Sequence, residues 1–364
     1  MPPRRSVAAL LVAILAASAL SGCIGSLVPS TGFGANWPAK MVGVDALHDR
    51  GLTGKGVKVA VIDTGIDLSH PEFAGVTVLW ADLVNGRSDK PYDDNGHGTH
   101  VAGIIAAQGE WTTSFSGFYL KGIAPKVTLI AIKAIAADGT GDESKVAAGI
   151  DAAVKHGADV IVLSLGGESG FVFSTDTEEA VDRAVAKGVY VVAAAGNAKK
   201  DQTGSSCRVA SPASVDGVIA VGAVDKRAVI GSFSCMGSCN NSDLVSRARS
   251  LGECSRGYHG DPNQKPEIVA PGVSILSAWK EGKYVEATGT SQSAPVVGGI
   301  LALALEANKD LVRKDRATVM RVKDALMGTA KKVGPLEGQT QSAHDAFYGY
   351  GLIDGVKLVD RLRR

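Results

Sequence analysis

The chain has 364 residues, of which 45% are hydrophobic, and its 38 Lys and Arg residues nearly balance 37 Asp and Glu, giving a net charge of +1 at pH 7. A chain of this size buries enough apolar surface to fold without a metal ion or disulfide to compensate for a small core. The balanced charge gives no excess of positive charge that would attract nucleic acid, so we predict no nucleic-acid partner.

The first residues have the composition of an export signal. Met1–Arg5 carry two positive charges, and Val7–Leu20 contain only uncharged apolar or small residues. This apolar stretch is too short to cross a bilayer comfortably, and its length is typical of a signal-peptide core. The sequence therefore predicts an exported protein.

A cysteine follows this segment directly. Residues 20–23, LSGC, resemble the lipobox at which prokaryotic lipoprotein precursors are lipidated on Cys and cleaved before it. We therefore predict a lipoprotein signal peptide at 1–22 and a lipid-anchored tether at 23–40, with Cys23 holding the protein at the outer face of the cytoplasmic membrane, or in the periplasm or at the cell surface. An ordinary cleaved signal, or an uncleaved anchor with a chance cysteine, is the alternative.

Apolar runs alternate with helical stretches along the rest of the chain. The predicted strands are Val57–Ile62, Val127–Ile132, Asp159–Leu163, Val189–Ala194 and Val218–Val221, and the predicted helices are His97–Ala107, Glu143–His156 and Thr177–Lys187. Nearly continuous apolar strands are typical of a parallel sheet buried on both faces. The pattern predicts an α/β fold of three layers, a doubly wound, mainly parallel sheet with helices on both faces.

Polar residues follow several of these strands. Asp63 comes directly after the first strand, Ser164–Gly166 follow the third, and Ala195–Asn197 follow the fourth, while His97 begins a helix. Since ligands of such sheets gather at the carboxyl ends of the strands, we expect these residues to share one rim.

Ser291 lies where a polar turn enters an apolar segment, Val296–Leu303. This segment is apolar on every side, which predicts a buried helix with Ser291 in its first turn. Backbone N–H groups are free there, so a hydroxyl could attack a carbonyl while they stabilise the oxyanion. Helix capping by Thr290 or Ser291 is the simpler interpretation of this stretch alone.

A hydroxyl nucleophile needs a base, and the base needs a carboxylate that holds its tautomer. Asp63, His97 and Ser291 can fill these roles from separate elements on one rim, and Asn197 can add a side-chain N–H for the oxyanion. Each could singly be a turn or helix-start residue. Together they predict a catalytic site.

Other motifs fail as metal or phosphate sites. The two imidazoles of HGTH at 97–100 have no acidic residue between them, and the acidic turn at 93–96 lacks the alternating ligands of a calcium loop. Residues 51–56 precede a strand instead of following one, unlike a phosphate-binding loop. We therefore predict no metal ligand, and no cofactor for the chemistry.

Three motifs in order resemble those of the subtilisin-like serine peptidases, the subtilases. They are VAVIDTGID at 59–67, NGHGTHVAG at 95–103 and GTS at 289–291, and FYGYGLID at 347–354 is similar to the closing segment of the family. The order Asp, His, Ser is that of subtilisin. The resemblance covers roughly residues 41–364, which we expect to form one peptidase domain.

The resemblance implies a serine endopeptidase acting on proteins or peptides. Asp63 would orient His97, His97 would act as base and then acid, Ser291 would be acylated, and Asn197 would be the oxyanion donor. By the same resemblance, the substrate-binding residues are Gly139, Thr140 and Gly141 on one edge, Ser164, Leu165 and Gly166 on the other, and Ala195 and Gly196 in the specificity-pocket wall. Extended peptide would pair between the two edges.

The sequence also departs from the family. Gln292, Ser293 and Val296 replace the usual Met, Ala and His after the nucleophile, and residues 108–121 replace the usual calcium loop without matching ligands. A structural calcium ion is therefore left open, with no ligands assigned.

Four further cysteines, Cys207, Cys235, Cys239 and Cys254, are disulfide candidates in an exported protein. Three pairings are possible and the sequence does not choose among them; a zinc site or free thiols are the alternatives. Three of the four fall in residues 235–264, which resemble an insertion into the family pattern.

Two other functions are compatible with this sequence. An inactive homologue could serve as a peptide-binding scaffold, and an active one could transfer acyl groups or cleave esters. All four proposed functional residues are present, which favours a hydrolase over a scaffold.

Overall fold

A sheet of seven parallel strands forms the centre of the molecule. The structure, a computed structural model, describes residues 36–112, 119–165, 175–198, 207–209, 211–237 and 265–363. The predicted signal peptide, Cys23, Gly166, Cys239, Cys254 and most of the predicted insertion lie outside these residues.

The helices and strands are, in chain order, α1 (Trp37–Met41), α2 (Val44–Asp49), β1 (Lys58–Asp63), β2 (Val78–Asp82), α3 (His97–Ala106), β3 (Gln108–Thr112), β4 (Tyr119–Lys121), β5 (Thr128–Lys133), α4 (Glu143–Lys155), β6 (Val160–Leu163), α5 (Thr175–Ala186), β7 (Tyr190–Ala194), β8 (Val218–Val224), β9 (Ile268–Pro271), β10 (Ile275–Trp279), β11 (Lys283–Ala287), α6 (Thr290–Ala307), α7 (Arg316–Thr329) and α8 (Gly355–Leu362). Short 3₁₀ helices occupy Pro71–Phe73, Lys309–Leu311 and Gly334–Leu336.

The strand order explains where a site can form. It runs β2-β5-β1-β6-β7-β8-β9, so the chain builds outward from β1 in one direction and then in the other. A crevice opens at such a reversal, outside the carboxyl ends of the strands. Asp63 is the last residue of β1 and therefore lies at this reversal.

Helices cover both faces of the sheet. A Cβ on Gly149 of α4 would lie 3.0 Å from Ile62, whereas a Cβ on Gly298 of α6 would lie 2.5 Å from Val162. Val162 is in register with Val61, the neighbour of Ile62 in β1, and successive strand residues point to opposite faces. The two helices therefore lie on opposite sides, which confirms the predicted three-layer α/β fold.

The five predicted strands are all present, and β8 continues to Val224, beyond its predicted end. The patterns of β2 and β9 and of the hairpin β10–β11 were not recognised in the sequence. Helix α1 begins at Trp37 and buries Pro38 and Ala39, so folded structure already starts inside the segment assigned to the tether.

Part of the segment that replaces the calcium loop forms the antiparallel pair β3–β4. The buried carboxylate of Glu72 accepts hydrogen bonds from the backbone N–H of Gly109 at 2.8 Å and from the Tyr284 hydroxyl at 3.2 Å. Both carboxylate oxygens of Glu72 thus face protein donors. Within the described ranges, no group of three or more His, Cys, Asp or Glu side chains could hold a metal ion.

No helix in the described part of the chain is both long and apolar enough to span a bilayer.

Candidate active site

Asp63 and His97 form a direct pair at the end of β1. His97 is the first residue of α3, and its Nδ1 lies 2.8 Å from Oδ1 of Asp63. The Asp63 side chain is 3% exposed and that of His97 12%, so both side chains are largely shielded from solvent. Since Asp63 faces Nδ1, Nδ1 carries the hydrogen and Nε2 is left to accept a proton.

Two glycines allow this approach. Gly65 has a φ of 124°, and a Cβ there would lie 2.1 Å from the carbonyl oxygen of Tyr92. A Cβ on Gly98 would lie 2.2 Å from the carbonyl oxygen of Gly65. The loop that carries His97 can therefore reach the end of β1 only with glycine at both positions.

Asp93 fixes the turn before His97. Its Oδ1 accepts from the hydroxyl of Thr64 at 2.9 Å and from the N–H of Gly96 at 2.8 Å, and its Oδ2 accepts from the N–H and hydroxyl of Thr99 at 2.9 and 2.6 Å. This carboxylate at the helix N-terminus ties the helix start to the residue after Asp63. The acidic turn thus presents His97.

Lys133 is a residue of this site that the sequence did not reveal. Its side chain is fully buried, and Nζ donates to the carbonyl oxygens of Thr64 at 2.7 Å and Ile135 at 2.9 Å and to Oδ1 of Asp94 at 2.7 Å. All three ammonium hydrogens are used. The lysine therefore joins the ends of β1 and β5 to the loop before His97.

Opposing influences set the pKa of His97. Burial, the largest of them, disfavours the charged ring, but the charge of Asp63, its hydrogen bond and the charge of Asp93 together outweigh burial and raise the pKa of His97 above its usual value. The imidazolium is thus stabilised by the carboxylate that also orients the ring.

His100 has a structural role. It is buried, and its Nε2 lies 3.1 and 3.0 Å from the carbonyl oxygens of Ile275 and Val285. Since carbonyls only accept, Nε2 must carry the hydrogen. Burial lowers the pKa of His100 to about 3, so the ring is neutral and anchors α3 to the β10–β11 hairpin.

Ser291 is the second residue of α6 and is half-buried. Its hydroxyl donates to the carbonyl oxygen of Ser164 at 3.0 Å, and the hydroxyl of Ser164 donates to the carbonyl oxygen of Ser291 at 2.9 Å. The predicted nucleophile is thus joined to the residue that follows β6. In this structure Ser291 bonds Ser164 instead of His97.

Asn197 lies beside the start of the same helix. Its Oδ1 accepts from the N–H of Thr290 at 3.0 Å and from the Thr290 hydroxyl at 3.1 Å. A backbone N–H can only donate, so it fixes which end of the amide faces Thr290. The Nδ2 group is left as the outward donor, and it makes no hydrogen bond to a described residue.

The other predicted site residues are those assigned to substrate binding. Residues 136–141 form a turn in which the N–H of Ala136 donates to the carbonyl oxygen of Thr140 at 2.8 Å, and Asn95 Nδ2 ties the turn to the His97 loop through Ala137 at 2.9 Å. Ala195 and Gly196 follow β7 and are buried. Gly166 is not among the described residues.

Comparison with known proteins identifies the family. The profile of the Subtilase family matches residues 54–351. The chain is a subtilase. Its sequence is 37% identical to subtilisin DY of Bacillus licheniformis over 315 residues, which cover 86% of this chain and 94% of that protein.

The chain is also similar to other proteases. The major intracellular serine protease of Bacillus subtilis (strain 168) is 37% identical over 268 residues, covering 72% of this chain and 73% of that protein. The solved structure of the prenylagaramide maturation protease PagA matches with a TM-score of 0.66 and 27% identity, covering 88% of this chain and 98% of that one. This subtilase is a serine endopeptidase, and its substrates are proteins or peptides.

The two residues that follow the proposed nucleophile in α6 are buried. Gln292 and Ser293 are buried at 2% and 0% exposure, and the Ser293 hydroxyl has no hydrogen-bond partner among the described residues. A Cβ on Gly289 would lie 3.0 Å from Oε1 of Gln292 and 3.3 Å from Nδ2 of Asn197. The Gln292 amide is therefore close to the amide of Asn197.

Two of the candidate cysteines are paired. Cys207 and Cys235 form a disulfide with a Cα–Cα distance of 4.7 Å. Both side chains are fully buried next to Ala198, the residue that follows Asn197.

Proposed function

We propose that this subtilase cleaves peptide bonds through an acyl-enzyme formed on Ser291, with His97 as the base and Asp63 as its orienting carboxylate. The observation that supports this most strongly is the 2.8 Å pair between His97 Nδ1 and Asp63 Oδ1, which leaves Nε2 as the proton acceptor. The family places a serine nucleophile in this reaction, and Ser291 starts the buried helix at the same rim.

The reaction follows from these positions. The Ser291 hydroxyl turns from Ser164 towards His97, a contact that in free enzymes often forms only with substrate bound. His97 Nε2 takes the hydroxyl proton as Oγ bonds to the substrate carbonyl carbon. The protonated His97 then gives that proton to the amide nitrogen, the C–N bond breaks, and the amine leaves. Water attacks the ester in the same way and releases the acid and Ser291.

The oxyanion of each tetrahedral intermediate needs donors that are already in place. The first-turn N–H of Ser291 supplies one, and Nδ2 of Asn197 supplies the other. Thr290 supports this role because its N–H and hydroxyl hold the oxygen of the Asn197 amide, so the amide cannot turn without losing two hydrogen bonds.

The proposed substrate is an extended peptide. Residues 139–141 and 164–166 would pair with its backbone from the two sides by strand addition, and Ala195 and Gly196 would line the primary pocket. The buried, uncharged character of Ala195 and Gly196 supports an apolar side chain in that pocket.

The proposed location is outside the cytoplasm. The charged start, the apolar stretch and the LSGC sequence at 20–23 support export as a lipoprotein anchored through Cys23. The disulfide of Cys207 with Cys235 supports an oxidising compartment.

Covalent labelling tests the proposed nucleophile. A fluorophosphonate probe is expected to label the protein on Ser291, and Ser291→Ala should abolish labelling because Ser291 is the hydroxyl that the proposed base activates. Ser293→Ala is the matched control: it lies two residues along the same helix, is fully buried, and should be labelled like the wild type. Labelling that survives in Ser291→Ala, measured by mass spectrometry of the modified peptide, would rule out this assignment.

The same labelling experiment, followed by product analysis, distinguishes the peptidase from a peptide-binding scaffold and from an acyl transferase. A scaffold would bind peptides without becoming labelled. An acyl transferase would be labelled but would join the acyl group to an added amine in preference to water, which product analysis detects.

The activity should depend on pH through His97. A base must be neutral, so kcat/KM is expected to rise with pH through the pKa of His97, which Asp63 and Asp93 hold above the usual value of 6.5. Asp63→Asn removes the charge that favours the imidazolium while burial remains, so the rising limb should move to lower pH. The measurement is the pH profile of kcat/KM with an uncharged peptide; a limb that moves upward in Asp63→Asn would contradict the assignment.

A further inference from the structure

The backbone that carries Asn197 is one layer of a small three-segment assembly. Residues 231–237 pair on one side with 196–198, where Ala198 N–H donates to the carbonyl oxygen of Phe233 at 2.7 Å. On the other side they pair with 207–209, where Met236 N–H donates to the carbonyl oxygen of Cys207 at 3.0 Å. The middle segment thus connects the Asn197 backbone to residues 207–209.

The disulfide crosses this assembly. Cys207 and Cys235 are 28 positions apart in sequence, and their sulfurs lie in a closed cluster with Ala198. All three are at most 9% exposed. The disulfide therefore packs directly against the residue next to Asn197.

A chain of hydrogen bonds continues from the disulfide to the nucleophile. Cys235 N–H donates to the carbonyl oxygen of Gly196 at 3.0 Å, and Gly196 N–H donates to the hydroxyl of Thr290 at 3.1 Å. That hydroxyl donates in turn to Oδ1 of Asn197 at 3.1 Å, and Thr290 precedes Ser291. Each link in this chain is buried or half-buried.

We propose that the Cys207–Cys235 disulfide is a positioning element for catalysis, which holds Asn197 at the oxyanion. This inference rests on the proposed role of Asn197 as the oxyanion donor. A donor of this kind acts only when it is already aimed at the developing charge, and an error of about 1 Å is enough to lose most of its effect. The covalent link ties residues 207–209 to residues 231–237, the segment that pairs directly with 196–198 and so supports the backbone of Asn197.

The test is a double-mutant cycle in which the disulfide and Asn197 are removed separately and together. The enzymes are the wild type, Asn197→Ala, the pair Cys207→Ala with Cys235→Ala, and all three changes combined. We would measure kcat and KM with one peptide, normalised to active sites titrated with the fluorophosphonate probe, so that misfolded protein does not count.

Loss of Asn197 alone should lower kcat about 10²–10³-fold, the range known for this donor in subtilisin. Loss of the disulfide should lower kcat about 10-fold or more with KM nearly unchanged, since the interaction is made in the transition state. In the Asn197→Ala background, removing the disulfide should change kcat by less than about 2-fold, because the donor it positions is gone. The melting temperature should fall on disulfide removal in both backgrounds.

An equal loss of kcat in both backgrounds, or an unchanged kcat with a lower melting temperature, would overturn the inference and leave the disulfide as a stabilising crosslink only. A wild type that hydrolyses no peptide, or an Asn197→Ala enzyme with wild-type kcat, would instead refute the proposed function.

Two further variants keep the result interpretable. Cys207→Val with Cys235→Ala restores most of the lost volume in the buried cluster and should give the same cycle if the Ala pair folds poorly. Tyr190→Phe removes a buried hydrogen bond to the carbonyl oxygen of Leu311, 2.8 Å away at the opposite end of the sheet. It should lower the melting temperature without lowering kcat, which separates stability from positioning.

Discussion

Replacing His97 with alanine is expected to lower kcat for a peptide substrate by about 10⁶-fold, the magnitude known for this position in subtilisin. Without the imidazole, the Ser291 hydroxyl has no group to take its proton, and the leaving amine has no acid. Asp63→Asn should cost less, about 10⁴-fold, because the imidazole remains but loses its orienting carboxylate and its tautomer. The measurement is steady-state kinetics with enzyme concentrations fixed by active-site titration where titration is possible.

Non-additivity gives the sharper result. Since His97 acts only through Ser291, the double change His97→Ala with Ser291→Ala should be no slower than either single change. Losses that multiply would mean that the two residues act independently. His156→Ala is the control, because His156 precedes β6 and so lies at the amino ends of the strands, opposite the site. The kcat of this variant should equal that of the wild type.

The sequence predicted the central strands because burial on both faces leaves a direct trace in composition. β6, β7 and β8 are buried at every residue, and they consist mainly of Val, Ile, Leu and Ala. β2 is different: it lies at the edge of the sheet and is half-buried along most of its length. Its residues Val78–Ala81 are apolar, but periodicity alone does not distinguish so short an apolar run from a buried helix segment, and the strand was missed.

The proposed functional residues divide in a similar way. Asp63, His97, Asn197 and Ser291 were predicted because each lies at or just after the end of a strand or at the start of a helix, positions that this topology collects at one rim. Lys133 was not found, since a lysine at the end of an apolar strand is usually exposed. Its burial depends on acceptors from Thr64 and Asp94, which come close only in the folded chain. The pairing of Cys207 with Cys235 likewise depends on the distance between two distant segments.

A second buried network, away from the site, should be the most sensitive point for stability. The carboxylate of Glu267 is 1% exposed and lies 2.8 Å from Nζ of Lys265 and 2.7 Å from Nζ of Lys323, both of which are also buried. Its other oxygen accepts from the N–H of Ala220 at 2.7 Å. One carboxylate therefore serves two ammonium groups and a backbone donor between β8 and β9.

Glu267→Ala is expected to lower the free energy of unfolding by ~3–5 kcal/mol, the usual cost of leaving a buried charge without its partner. Burial already lowers the pKa of Lys265 to about 7, against the opposing attraction of Glu267. Without that attraction, the ammonium form becomes still less favourable. Urea unfolding at constant pH measures the loss. Glu179→Ala, which removes one partner of an exposed pair with Arg183 at 3.9 Å, is the control and should leave stability nearly unchanged.

Removing the lysines together with the glutamate distinguishes a charge effect from lost packing. If unpaired charge causes the loss, then Glu267→Leu combined with Lys265→Met and Lys323→Met should be more stable than Glu267→Ala, although it has lost more polar contacts. The recovery should be partial, because Lys265 also donates to the carbonyl oxygens of Val215 at 3.0 Å and Val218 at 2.8 Å, and these would lose a donor. A triple variant less stable than Glu267→Ala would show that the hydrogen bonds to these carbonyls matter more than the charge on Glu267. Since the network lies away from the catalytic rim, kcat per titrated site should stay at the wild-type value in every variant that folds.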